Sequence, residues 1–146
     1  MKQITRSALL PYSARAMFDL VNDVARYPEF LPWCHDAQVL SMTETSMQAR
    51  IGIKKAGMTT AFTTDNRLEA PSRIDLALVE GPFQHLHGTW HFDALGDAQQ
   101  QACRITLDLR FQMKHQLLSL AVGPVFEQIA QTMVQSFSER AKQLYG

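Results

Sequence analysis

Residues 103–114 alternate without a break. Cys103, Ile105, Leu107, Leu109, Phe111 and Met113 are apolar, while Arg104, Thr106, Asp108, Arg110, Gln112 and Lys114 are polar. A period of two sustained this long fits a strand with one face on a core and the other in water. The period then changes. Val122, Phe126, Ile129, Met133, Phe137, Ala141 and Leu144 recur at helical spacing and describe a long amphipathic helix. A half-wet sheet followed by a one-faced helix predicts an α+β fold in which the helix covers the apolar side of the sheet. Gly123-Pro124 interrupts the start of that helix. Proline is costly inside a helix and tolerated in its first turn, so Pro124 reads as opening the main helix. Leu117–Val122 then forms a separate turn or kinked extension.

The same two periods organise the rest of the chain. Ile4–Leu10 reads as a first strand. Ser13 is placed to cap a helix whose apolar face is Ala14, Met17, Phe18 and Val21, closed by Asn22-Asp23. Pro28 and Pro32 restrict Arg26–Trp33 to a short helix or compact turn, rich in aromatic surface. Met47, Ala49, Ile51 and Ile53 then share one strand face, Gly57 permits a turn, and Met58, Thr60, Phe62, Thr64 and Asn66 line the next strand. Ile74–Val79 is a further strand, broken by Gly81-Pro82-Phe83. In the strand after it, Leu86, Gly88, Trp90 and Phe92 oppose His85, His87, Thr89 and His91. The order is strand, helix, short helix, about six strands, long helix. It predicts a curved antiparallel sheet and argues against a Rossmann fold. A chain of 146 residues suits one domain, 1–146, with a core of its own.

Charge narrows the partners. Fourteen Lys and Arg balance fourteen Asp and Glu, which gives no long-range pull toward nucleic acid, and DNA is not an expected partner. Arg50, Lys54 and Lys55 form a local basic group that suits either a phosphate or an ordinary solvated strand edge. Cys34 and Cys103 read as a reduced pair, the N-terminal segment does not resemble a leader, and no run of eighteen apolar residues occurs. A cytoplasmic protein is the expectation.

Catalytic signals are weak. His85, His87 and His91 share an outward face, with the first two Cα atoms about 7 Å apart and no carboxylate or thiol partner nearby. No metal site is expected. Cys34 and His35 are adjacent and would point to opposite faces of a strand. Asp19 and Asp23, one turn apart, read as solvated acids, and no nucleophile elbow, dinucleotide turn or P-loop is present. The remaining feature is the stripe Phe126, Ile129, Met133 and Phe137 facing Trp90, Phe92, Leu107, Leu109 and Phe111. It reads as solid core or as the lining of an apolar ligand tunnel.

Over nearly its whole length the chain resembles a family of the START-like (Bet v 1-like, polyketide cyclase/dehydrase) superfamily. That family holds the ribosome association toxins and the coenzyme Q-binding proteins. The resemblance is carried by Leu20–Val24, Tyr27–Cys34, Lys55-Ala56-Gly57, Phe62-Thr63-Thr64, Gly81-Pro82-Phe83, Trp90-His91-Phe92 and Val125–Ala141, in that order. It implies a helix-grip fold and a non-catalytic role that requires no cofactor. One implied role is binding and delivery of ubiquinone in support of respiration. Tyr27, Phe30, Leu31, Pro32 and Trp33 would then shape the entrance, and Phe83, Trp90, Phe126, Met133 and Phe137 would face the cavity. The other is binding to the large ribosomal subunit, which blocks its association with the small one. Arg50, Lys54 and Lys55 would meet phosphate or a ligand headgroup, and peripheral contact with the inner membrane is a further implied partner.

Overall fold

The computed structural model describes residues 1–146. In chain order the elements are β1 (Lys2–Leu10), α1 (Ala14–Asn22), a 3-10 helix (Val24–Glu29), β2 (Cys34–Met42), β3 (Ser46–Lys55), β4 (Met58–Glu69), β5 (Arg73–Glu80), β6 (Phe83–Gly96), β7 (Gln101–Met113), α2 (Gln116–Ala121) and α3 (Gly123–Tyr145). Ser13 caps α1 by accepting a hydrogen bond from the Ala16 amide at 3.1 Å. Pro124 sits in the first turn of α3, which separates it from α2. Both arrangements agree with the sequence reading.

The seven strands form one sheet in the order β1-β7-β6-β5-β4-β3-β2, antiparallel throughout. Five of the six pairings join neighbours in sequence. The sixth brings the first strand beside the last, Ile4 opposite Leu109 and Ala8 opposite Ile105. The β3–β4 turn is tight because Ala56 and Gly57 both adopt positive φ, 55° and 78°. Gly81, at φ 153°, is required for a different reason. A Cβ there would lie 2.7 Å from the Cβ of Phe62, so only glycine lets β4 approach the start of β6.

Helix α3 lies across the inner face of this sheet and is held at two places. Near its start, the Phe126 ring meets Phe83 and Phe111 at 4.8 Å and Phe62 at 6.0 Å, centroid to centroid. Further on, Phe137 meets Tyr27 at 5.3 Å and both Phe30 and Trp90 at 5.4 Å. All are edge-to-face contacts, the favoured arrangement for aromatic pairs. Three helical turns separate the two anchors, roughly 16 Å along the axis.

One end of the helical stripe departs from expectation. Leu144 is half exposed, whereas Ala141 is fully buried. The last turn of α3 runs past the sheet, and its contact there is the Tyr145 ring against Tyr12 at 5.6 Å. The two positions make a direct comparison. Phe137→Ala should cost about 3–5 kcal/mol of unfolding free energy, and Leu144→Ala less than about 0.5 kcal/mol. Urea unfolding of the two variants checks this, and similar losses would mean that the grip extends to the end of the helix.

Candidate functional site

Between the two aromatic anchors of α3 the core is open. A cavity of about 100 Å³ lies under the helix, and 18 of its 21 lining residues are hydrophobic. The roof is Phe126, Ile129, Ala130 and Met133 from α3. The floor comes from inward positions of the strands, including Ile51 and Ile53 on β3, Trp90 on β6, and Leu107 and Leu109 on β7. One side is closed by Val21 and Asn22 at the end of α1, with Val24 and Tyr27 of the 3-10 helix and Trp33 just after it. The volume is large enough for a ring-sized group and too small for a long apolar chain.

Three polar side chains interrupt the lining: Asn22, Thr64 and Asn66. The Thr64 hydroxyl donates to Asn66 Oδ1 at 2.7 Å, and both residues are buried on β4. Asn22 Oδ1 is buried without a hydrogen-bond partner. An unmatched acceptor of this kind carries a desolvation cost. These three residues are not among the site residues expected from the sequence. The signal for Thr64 and Asn66 is present in β4, where alternation puts both on the face of Phe62; Asn22, at the end of α1, carries no such signal.

The cavity offers no proton-transfer group matched to neutral pH. Its one ionisable side chain is Tyr27, whose hydroxyl donates to the Val21 carbonyl. Burial, followed by the nearby Cys34 and Asp23, pushes that hydroxyl far above the ordinary phenol range. Cys34 lies at the start of β2 outside the lining, and burial raises its thiol to about 11. A thiol held protonated at neutral pH is a poor nucleophile. No group of three His, Cys, Asp or Glu side chains is close enough to hold a metal ion.

Of the ten residues expected around a ligand, Tyr27, Trp33, Trp90, Phe126 and Met133 line the cavity together. The other five stand elsewhere. Phe83 and Phe137 are consumed in the two aromatic anchors. Leu31 is buried in the core, Phe30 packs on Tyr27 and Phe137 beneath the Arg140 guanidinium, and Pro32 is exposed.

The basic trio is divided as well. Arg50 and Lys54 point outward from β3, but Arg50 already pairs with Asp36 at 3.5 Å. Lys55 is half-buried at the β3–β4 turn. The outer face of the sheet is mostly polar, with Leu9 and Leu95 exposed on it. His85, His87 and His91 of β6 lie on it beside the polar positions of β7, with His87 directly opposite Arg110. Arg104, Arg110 and Lys54 make none of the ion pairs in the fold. No helix is long and apolar enough to cross a membrane.

Comparison with known proteins agrees with this architecture. The structure of a protein from Thermus thermophilus superimposes with a TM-score of 0.81, covering 99% of this chain and all of that one, at 15% identity. That likeness shows the fold, a START-like helix grip. A ribosome association toxin RatA from Pseudomonas aeruginosa is 54% identical over 143 residues, 98% of this chain and 97% of its own. A more distant relative is the mitochondrial coenzyme Q-binding protein COQ10 homolog B of Xenopus laevis. It is 24% identical over 99% of this chain and 59% of its own. Relatives from Vibrio cholerae and Escherichia coli, 47% and 46% identical over the whole of this chain, bear the same name, ribosome association toxin RatA. A family model described as polyketide cyclase / dehydrase and lipid transport matches residues 10–138. The chain belongs to that family and, within it, to the group of RatA ribosome association toxins and COQ10-like proteins.

Proposed function

We propose that this protein acts by binding the ribosome, and that it occupies the large subunit so that the small one cannot join. The observation that carries this reading is the 54% identity to a ribosome association toxin across nearly the full length of both chains. The outer sheet face supplies a suitable contact surface. It is broad, and it offers Arg110 opposite His87, with Arg104 opposite Asp93 farther along β7 and Lys54 on β3, three strands from β6, all free of ion pairs. Such groups position a protein on a phosphate backbone without reading sequence. Neutral net charge confines the attraction to the contact itself, and each phosphate that these groups meet adds to its salt dependence.

The cavity supports a second, compatible reading, in which it takes the head of an apolar ligand, with ubiquinone the candidate. A void of about 100 Å³ left empty costs roughly 2 kcal/mol by the usual cavity penalty. A ring filling it would recover that energy, and the polar edge at Asn22, Thr64 and Asn66 would orient the ring. The polyprenyl tail would have to leave the cavity, because about 100 Å³ holds little beyond the ring.

Each reading has its own measurement. Added protein should shift 70S particles toward free subunits in a sucrose gradient and co-sediment with the large subunit. Arg110→Ala should weaken that association about tenfold with no change in unfolding midpoint. Unchanged gradients and no co-sedimentation would remove the ribosomal reading. Both tryptophans, Trp33 and Trp90, line the cavity, so a short-chain ubiquinone should quench their fluorescence saturably. Ala130→Phe, which fills the cavity from its roof, should abolish quenching and leave the ribosomal effect intact. Linear, unsaturable quenching that Ala130→Phe does not alter would count against the ligand.

A further inference from the structure

Helix α2 buries none of its residues. Leu117 and Leu120 lie three residues apart and so share one face, and they are 75% and 70% exposed, matched among large hydrophobic residues only by the terminal Met1. Leu118, on the opposite side, is half-buried against the core. The helix therefore directs two of its three leucines into water, against the ordinary amphipathic arrangement.

Its position in the fold adds charge to this apolar face. Helix α2 follows β7 at the end of the sheet where the Lys114 amide donates to the Pro82 carbonyl at 3.1 Å. Antiparallel pairing puts the β5–β6 turn, the start of β1 and the β3–β4 turn at that same end. Lys54 and Lys55 sit at the last of these turns. None of Lys54, Lys55 and Lys114 makes an ion pair. Three carboxylates stand at this end: Asp36 near the start of β2, taken by Arg50 at 3.5 Å, Glu80 at the close of β5, and Glu127 in the first turns of α3. Glu127 is already paired with Lys2 at 3.3 Å. One edge of the molecule thus combines exposed leucines with an excess of free lysines.

We propose that this end of the sheet docks on an anionic lipid surface, with Leu117 and Leu120 among the acyl chains and Lys114, Lys54 and Lys55 at the phosphates. The combination distinguishes lipid from the alternatives. RNA gains nothing from two exposed leucines, and residues 54–58 and 114–121 contain no Phe, Tyr or Trp on which a base could stack. A stable protein interface buries about 800 Å² on each partner, far more than the exposed face of a six-residue helix presents. An acyl layer needs only a short apolar wedge with cations around it. The surface shares only Lys54 with the outer-face contact proposed for the ribosome; Leu117, Leu120 and Lys114 belong to it alone, and Arg110 to the other, so either can fail without the other.

Flotation with vesicles of phosphatidylcholine alone, and of phosphatidylcholine with phosphatidylglycerol at 3:1, tests the proposal. Wild-type protein should float with the anionic vesicles and at least tenfold less with the neutral ones. Leu117→Ser/Leu120→Ser should lower anionic binding at least tenfold. Lys114→Gln should lower it about fivefold and flatten its salt dependence. Because all three positions are exposed, the unfolding midpoint should not move, which separates lost docking from lost fold. Failure of the wild type to bind anionic vesicles would overturn the proposal, as would undiminished binding by the double variant. If the wild type fails to float and the double variant loses large-subunit co-sedimentation, the leucines serve the ribosome and the lipid proposal falls.

Discussion

Everything else in this fold depends on how α3 is held against the sheet. Phe126 and Phe137 each enter a cluster of three other aromatic rings, and those clusters draw on β4, β6, β7 and the region around the 3-10 helix. Dense packing at two points fixes the helix as a beam supported at both ends. The stretch between, with Ile129, Ala130 and Met133 facing inward, can then stand off the sheet instead of collapsing onto it. Helices anchored at one point settle into any hollow beneath them, because closing a void recovers dispersion and burial. The cavity follows from the spacing of two phenylalanines.

That dependence explains what could be read from the chain alone. Strand β7 and helix α3 each have one wet face, so their periods are visible in the residues themselves. Pro124 marks the break before α3 by its own stereochemistry. The fold class and the order of elements followed from such local signals. Which inward residues fill space and which border it did not. Phe83, Phe126 and Phe137 look alike in sequence, yet Phe83 and Phe137 are spent on anchoring while Phe126 both anchors and lines. Their difference arises from which rings of β4, β6, β7 and the segment around the 3-10 helix meet each one, contacts between residues far apart in the chain. Arg50 shows the same limit. Its partner Asp36 lies beyond a register shift between Cys34 and Asp36, which no local pattern on β3 announces.

The polar residues of β4 are informative in a different way. Thr64 and Asn66 occupy inward positions that a pure core would fill with aliphatic side chains, and they satisfy one another through a single hydrogen bond. Asn22 reaches the same cavity with its carbonyl oxygen unmatched. A sequence selected for stability alone would replace the three with Val or Leu and shrink the void. Retaining both the void and its polar edge runs against stability on two counts. The conflict is resolved if the space is used, which is the physical case for a ligand with an apolar body and a polar head.

Antiparallel sheets with one face on a core leave the opposite face free of structural duty. Here the inner face and α3 fix the fold and enclose the cavity, while the outer face carries arginine, lysine and histidine side chains that stability does not require. A surface contact and an enclosed ligand therefore draw on different sets of residues in one small scaffold. Replacing Arg110 leaves the packing of Leu109 and Phe111 intact, and filling the cavity from Ala130 leaves the outer face as it was. The occurrence of ribosome association toxins and coenzyme Q-binding proteins among the relatives is consistent with this separation. Change on one face of the sheet need not disturb what the other face does.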